Sequence, residues 1–253
     1  ADVCLAEAHA MGDGREVGRQ LANKLGFQIW GFAFEEVESQ YLEALALVRQ
    51  SGDRRMETEI LIRMAGLGLT QGDHTQTKAC LDEAFVLIET LGSARLEVSA
   101  LRASAHYHMD RGDMVGAEAN LLRALSRAKD TERSRLLIFV YTAMGTFYKD
   151  QGRLKESVRV HEAGIQLCRE MGNRREACVL IGNLALVLQL QGDTNRAREV
   201  YEDTMRLARE IGFQAVEAMA VGNLGDLLLE QGLLEESGQH LLQSIGSMDG
   251  LDS

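Results

Sequence analysis

Proline is absent from all 253 residues, and no segment is rich enough in Gly, Ser or charge to read as a linker. Basic residues are in the minority, 27 against 38 acidic, for a formal charge of −11. Such a chain repels phosphate backbones, which disfavours nucleic acid as a partner unless a local basic face exists. No apolar run approaches the roughly 18–20 residues needed to span a bilayer. Cysteine is sparse: Cys4, Cys80, Cys168 and Cys178 include no close pair. That spacing argues against a disulfide framework or a thiolate metal site and fits a reducing, cytoplasmic setting. The start, Ala1-Asp2-Val3-Cys4, carries neither a basic region nor an apolar one, and it lacks Met. No signal peptide is expected, and the chain is expected to be a piece of a longer protein.

Glycine, by contrast, is plentiful and periodic. It returns every 40 residues at Gly72, Gly112, Gly152, Gly192 and Gly232. An offset series stands at Gly12, Gly52, Gly92, Gly172 and Gly212 and breaks at Glu132. A fixed period of this length is the signature of a stacked-repeat solenoid, in which each unit buries its apolar face against its neighbours.

The stretch from Gly172 to Gly212 shows what one unit contains. Asn173 can cap a helix, and Glu176 stands three residues on, in a capping-box arrangement. From Ala177 to Leu190, Val179, Leu180, Leu184, Val187 and Leu188 recur at helical spacing. Gln191-Gly192-Asp193 breaks that helix, because Gly192 can take left-handed backbone and Asp193 can cap the next helix. This second helix runs to about Ile211. Each unit is therefore read as a pair of helices joined by tight turns.

Seven residues before each turn glycine stands a small residue: Ala65, Ala105, Gly145, Ala185 and Gly225. This column lets two helix backbones approach closely. A glycine inside a helix costs about 1 kcal/mol relative to alanine, so Gly145 and Gly225 should recover that through packing. The expected organisation is all-α, with about six antiparallel helix pairs in a single solenoid over 1–253. A partial unit at 1–12 is followed by pairs at 13–52, 53–92, 93–132, 133–172, 173–212 and 213–250. Phe32 replaces the glycine of the first full unit, with Gly31 one step early.

These columns resemble the tetratricopeptide repeat, seen for example in Gly112-Ala117-Leu121-Ala124 and Gly192-Ala197-Tyr201. The common repeat of that family has 34 residues and often a proline near its end, whereas this one has 40 and none. The longer form is similar to the Leu-Gly-Asn-type spindle adaptors, kinesin light chains and bacterial regulators. The resemblance implies a right-handed α-α superhelix whose concave groove, lined by the first helix of each pair, takes a peptide or protein segment.

Nine residues before the turn glycine, the position that should face the groove holds Arg63, Asn183 and Asn223, with Asn23 in the unit of Phe32. Ala103 and Ala143 interrupt the series. Asparagine amides donate and accept, so a ladder of them can pair with an extended peptide backbone of any sequence. The competing reading is that Asn183 and Asn223 satisfy neighbouring helix backbones. A second column is arginine: Arg15, Arg55, Arg95, Arg135 and Arg175, lost at Ala215. Cations at helix N-termini oppose the macrodipole, so something should compensate. One reading pairs them with acids of the preceding second helix, such as Glu43, Glu83, Glu89 or Asp203. The other is a guanidinium ridge that captures acidic groups of a ligand.

Catalytic signatures are missing. His106 and His108 project about 200° apart around a helix, and the sequence contains no His-Glu-x-x-His motif. Gly12 to Gly18 follows no strand and has the wrong spacing for a dinucleotide loop. No catalytic residue, metal or cofactor is expected. The leading expectation is a non-enzymatic module that binds a protein or peptide segment, with an acidic one favoured by the arginines. The alternative is the ligand-sensing region of a larger bacterial signalling protein, such as a transcriptional activator or regulatory ATPase. Uncapped terminal repeats also offer a route to a homodimer.

Overall fold

A computed structural model describes residues 34–131 and 134–239, together with Glu16 and Leu242. The partial unit at 1–12, Asn23, Phe32 and the end of the last helix pair lie outside these residues. Among the described residues every regular element is helical. The chain divides into two compact units, one through Thr131 and the other from Glu132.

The first unit holds α1 (Phe34–Ser51), α2 (Arg54–Gln71), α3 (His74–Leu91), α4 (Ala94–Asp110) and α5 (Met114–Lys129). The second holds α6 (Ser134–Asp150), α7 (Leu154–Glu170), α8 (Arg174–Leu190), α9 (Thr194–Glu210) and α10 (Gln214–Glu230). A further helical stretch covers 234–239. Each helix packs on the next within its unit. The first helices of successive pairs also touch: α2 with α4, α6 with α8, and α8 with α10.

Turn chemistry sets these boundaries. Gly72 has φ 73°, and eight other glycines, from Gly52 to Gly232, share the left-handed region at φ 59–82°. That conformation lets the amide after the glycine donate back into the helix it ends, as in Asp73 N to Gly68 O at 2.8 Å and Asp193 N to Leu188 O at 3.0 Å. The next residue often caps the following helix: the side chains of Asp53, Asp73, Asp113, Asn173 and Asp193 each accept a backbone amide of the first turn. One short sequence both closes one helix and opens the next.

Between the helices of a pair, the small-residue column is buried: Ala65, Ala105 and Ala185 are almost wholly inaccessible. Opposite it lies a column of small or polar residues on the second helix. Ser157 Oγ donates to Gly145 O at 2.7 Å, and Thr77 Oγ1 to Ala65 O at 3.4 Å. A side chain at Gly145 would overlap the ring of His161. The glycine is thus the counterpart of a large neighbour, and packing explains its place in a helix interior. Gly66 on α2, by contrast, faces open space. Around the column lie large apolar side chains, Tyr41, Ile60 and Leu61 in the first unit and Leu180, Leu188, Tyr201 and Leu227 in the second.

His161 is 1% exposed, in the register that holds Leu81, Leu121 and Tyr201 in other repeats. Its Nδ1 has no partner. Burial, with a smaller effect from Lys149, pushes its pKa down to about 4. The folded protein therefore holds the neutral imidazole, while the unfolded chain protonates near the ordinary value of about 6.5. This contribution to stability is complete above that value and is lost as pH falls toward 4, by on the order of 2–3 kcal/mol. His161→Leu should remove that part of the pH dependence, read as the difference between the two proteins in urea melts from pH 7 to 4. A parallel curve for the variant would contradict the assignment. Gly145→Ala should cost about 1–3 kcal/mol through overpacking on His161, whereas Gly66→Ala should add up to about 1 kcal/mol from helix propensity. Equal effects in thermal melts would show that the 145–161 contact sets neither.

Candidate functional site

In the second unit α6, α8 and α10 lie side by side, so equivalent positions on them form rows across a face. One row is Phe139, Val179 and Met219; the next, four residues on, is Ala143, Asn183 and Asn223. Residues four apart share a helix face, so each apolar group stands beside its small or amide neighbour. Phe139 is 43% exposed and Met219 62%, and Val179 is half-buried. Asn183 and Asn223 are also half-buried. No hydrogen bond within the described residues involves either side-chain amide. Their donors and acceptors are therefore available, and they do not tie down neighbouring helix backbones. Leu186 and Leu190 continue the apolar character toward the end of α8, with Leu190 exposed.

The same positions in the first unit have a different chemistry. Glu59 and Ser99 replace the apolar row, and Arg63 stands in the amide row. The Arg63 guanidinium is hydrogen-bonded to the hydroxyl of buried Tyr41, whose pKa is raised by burial despite that cation. Arg63 is thus engaged within the fold. Asn23 lies outside the described residues.

The arginine column divides in the same way. Arg95 reaches Glu59, and Arg55 lies 3.8 Å from the same carboxylate. One acid on a first helix therefore braces arginines of two successive repeats; the partner is not an acid of the preceding second helix. Arg175 stacks over the Phe213 ring, 3.7 Å from its centroid, a cation–π contact worth about 0.5–2 kcal/mol. Arg135 is exposed and has no ionic partner among the described residues. With Ile138, Phe139, Asn173 and Glu176 it lines a recess of about 180 Å³. The residues that composition alone did not single out are Phe139, Val179 and Met219. Their signal was apolar character in a column that carries Glu59 and Ser99 elsewhere.

Other reactive groups lie apart from this face. Cys80 and Cys168 are buried thiols pushed up to about 11, mainly by burial, and Cys178 is raised for the same reason. Among the described residues no group of three or more His, Cys, Asp or Glu could hold a metal ion. No described helix is long and apolar enough to cross a membrane.

Residues 175–248 match the tetratricopeptide repeat family. Over that stretch, less than a third of its length, the chain is similar to tetratricopeptide repeats. No curated protein sequence matches it, but solved structures share the repeat fold along most of its length. BtubC (BKLC) from P. vanneervenii is 14% identical with a TM-score of 0.74, and the alignment covers 88% of this chain and 93% of that one. A signal-transduction ATPase with a tetratricopeptide repeat sensor from Pyrococcus horikoshii is 12% identical with a TM-score of 0.71; 92% of this chain aligns with 36% of that protein. A Rap protein complexed with competence and sporulation factor is 15% identical with a TM-score of 0.68, over 94% of this chain and 70% of that one. At such identities the likeness is one of fold. The described residues share with these structures an all-α fold of stacked helix pairs.

Proposed function

We propose that the second unit binds an extended peptide segment of a partner protein across α6, α8 and α10. The observation that carries this reading is the pair of unpartnered amides, Asn183 and Asn223, beside the exposed Phe139 and Met219. The amides are suited to the peptide backbone, whose polar groups must be satisfied once removed from water. The apolar row is suited to side chains that alternate along the strand. Arg135 gives the face a free cation, so a segment with an acidic residue flanked by apolar ones fits it. The first unit, with its arginines held by Glu59 and Tyr41, serves as scaffold. The reading is non-enzymatic: the face holds amides, apolar groups and one guanidinium but no nucleophile paired with a base. The Rap structure, with competence and sporulation factor bound, offers support by analogy of fold.

A second reading is that the chain senses a ligand for an attached signalling domain. It is favoured by the alignment of 92% of this chain with little more than a third of the Pyrococcus ATPase. It uses the same face and differs only in what binding controls.

Peptides selected from a random library on the full chain test the proposal. Asn183→Ala and Asn223→Ala should each weaken the selected peptides about three- to tenfold, from the loss of one or two hydrogen bonds. Arg135→Glu should weaken those that carry an acid by about tenfold or more, and Arg63→Ala should leave all affinities within about twofold. Affinities unchanged in the asparagine and Arg135 variants, with helical content intact, would remove the face from consideration.

A further inference from the structure

A second site is marked by a carboxylate that the repeat supplies as Glu57, Glu97 and Glu217 and replaces with Leu137 and Ala177 in the units between. In the first unit Arg49 Nε donates to Glu57 Oε1 at 2.9 Å, and Arg54 Nη1 donates to Glu57 Oε2 at 3.0 Å. Glu57 is only 2% exposed, and Arg49 also reaches Glu83 on α3. The crevice between the second helices α1 and α3, above α2, is thereby bridged by the chain's own ion pairs. In the last described pair the same positions give Arg209 Nε to Glu217 Oε1 at 2.5 Å.

Forty residues before that last pair, Arg169 stands in the register of Arg49, and Arg174 in that of Arg54. Ala177, however, stands where Glu57 does. Without the acid, the crevice between α7 and α9 is an open cleft of about 390 Å³, within the range of about 300–1,000 Å³ usual for small-molecule sites. Its floor is apolar: Ala177, Ile181, Leu207 and the buried Cys168. The remaining charges only partly compensate. Arg206 pairs with Asp203 at 2.5 Å, and Arg174 turns to Glu210, where the first unit has Thr90. Arg169 has no partner among the described residues. Among the residues lining the cleft three arginines face two carboxylates. Glu176 stands near enough to add to burial in raising the Cys168 thiol, yet Arg169 at the mouth is left without a direct ionic partner among the described residues.

We infer that this cleft binds a small organic monocarboxylate with an apolar body. Its carboxylate would occupy the place that Glu57 fills in the first unit, against Arg169 and Arg174. Its apolar part would lie on Ile181 and Leu207. The cleft itself imposes both requirements: the cation selects the anion, and the floor gains from covering apolar surface. The site lies over the second helices and is separate from the peptide face, so it stands or falls independently of the proposed function.

Hexanoate is a suitable probe, with acetate (charge without body), hexan-1-ol (body without charge) and inorganic phosphate as controls. In NMR titrations of the full chain, hexanoate should shift Cys168, Ala177 and Ile181 saturably, and each control should bind at least about tenfold more weakly. Arg169→Gln should weaken hexanoate about tenfold, the usual effect of losing one charged hydrogen bond. Ala177→Glu, which rebuilds the internal pair, should abolish hexanoate binding and raise the Tm of the free protein. Absence of a saturable shift in the wild type would overturn the inference, as would equal hexanoate affinity in the wild type and Arg169→Gln. Should Ala177→Glu fail to fold, the Arg169 variant and the three controls still decide the matter.

Discussion

The structure depends on the close approach of the two helices in each pair. A small residue on the first helix meets a small or hydroxylated residue on the second, and large apolar side chains close around them. That contact brings the backbones near enough for a side-chain hydroxyl to reach a carbonyl across the interface. It also fixes which face of the first helix remains outside the core. Where one member of the contact is enlarged, the other is reduced, as His161 and Gly145 show. The buried neutral imidazole is tolerated because burial suppresses its protonation at neutral pH.

Because the core is repeated in register, function can reside only in positions the core leaves free. The two units use that freedom differently. At the registers of the two sites the first unit pairs its arginines internally: Glu59 holds two, Glu57 holds two more, and Tyr41 engages Arg63. The second leaves groups unmatched: two amides and Arg135 on the first-helix face, and Arg169 above the cleft. Polar groups without internal partners cost little while solvated, and they provide directional affinity when a ligand replaces water. The contrast at these registers is the physical basis of the proposal that the second unit recognises a partner while the first supports it.

Much of this was legible in the sequence. The 40-residue glycine beat located turns and caps because left-handed backbone at a helix end needs glycine, and the helices fall where the beat predicts, as Thr194–Glu210 shows. The small-residue column was legible for the same reason of register. The partners of the arginine column were not. Which acid faces Arg95 depends on how neighbouring first helices are set side by side, and Glu59 lies 36 residues earlier in the chain. The stacking of Arg175 on Phe213 was hidden likewise. Phe139 and Met219 were readable only as apolar residues, since exposure is decided by packing that periodicity does not resolve. The vacancy at Ala177 acquires meaning only once Glu57 and Glu217 are seen to hold the arginines of their own repeats.

The most direct test of the recognition claim is to locate a bound peptide on the isotope-labelled full chain by NMR. A library-selected peptide should shift the side-chain amide resonances of Asn183 and Asn223. Intermolecular contacts should run from the peptide to Phe139 and Met219, with the equivalent positions of the first unit unmoved. Contacts confined to the first unit or to the second helices, with both asparagine amides unperturbed, would contradict that claim.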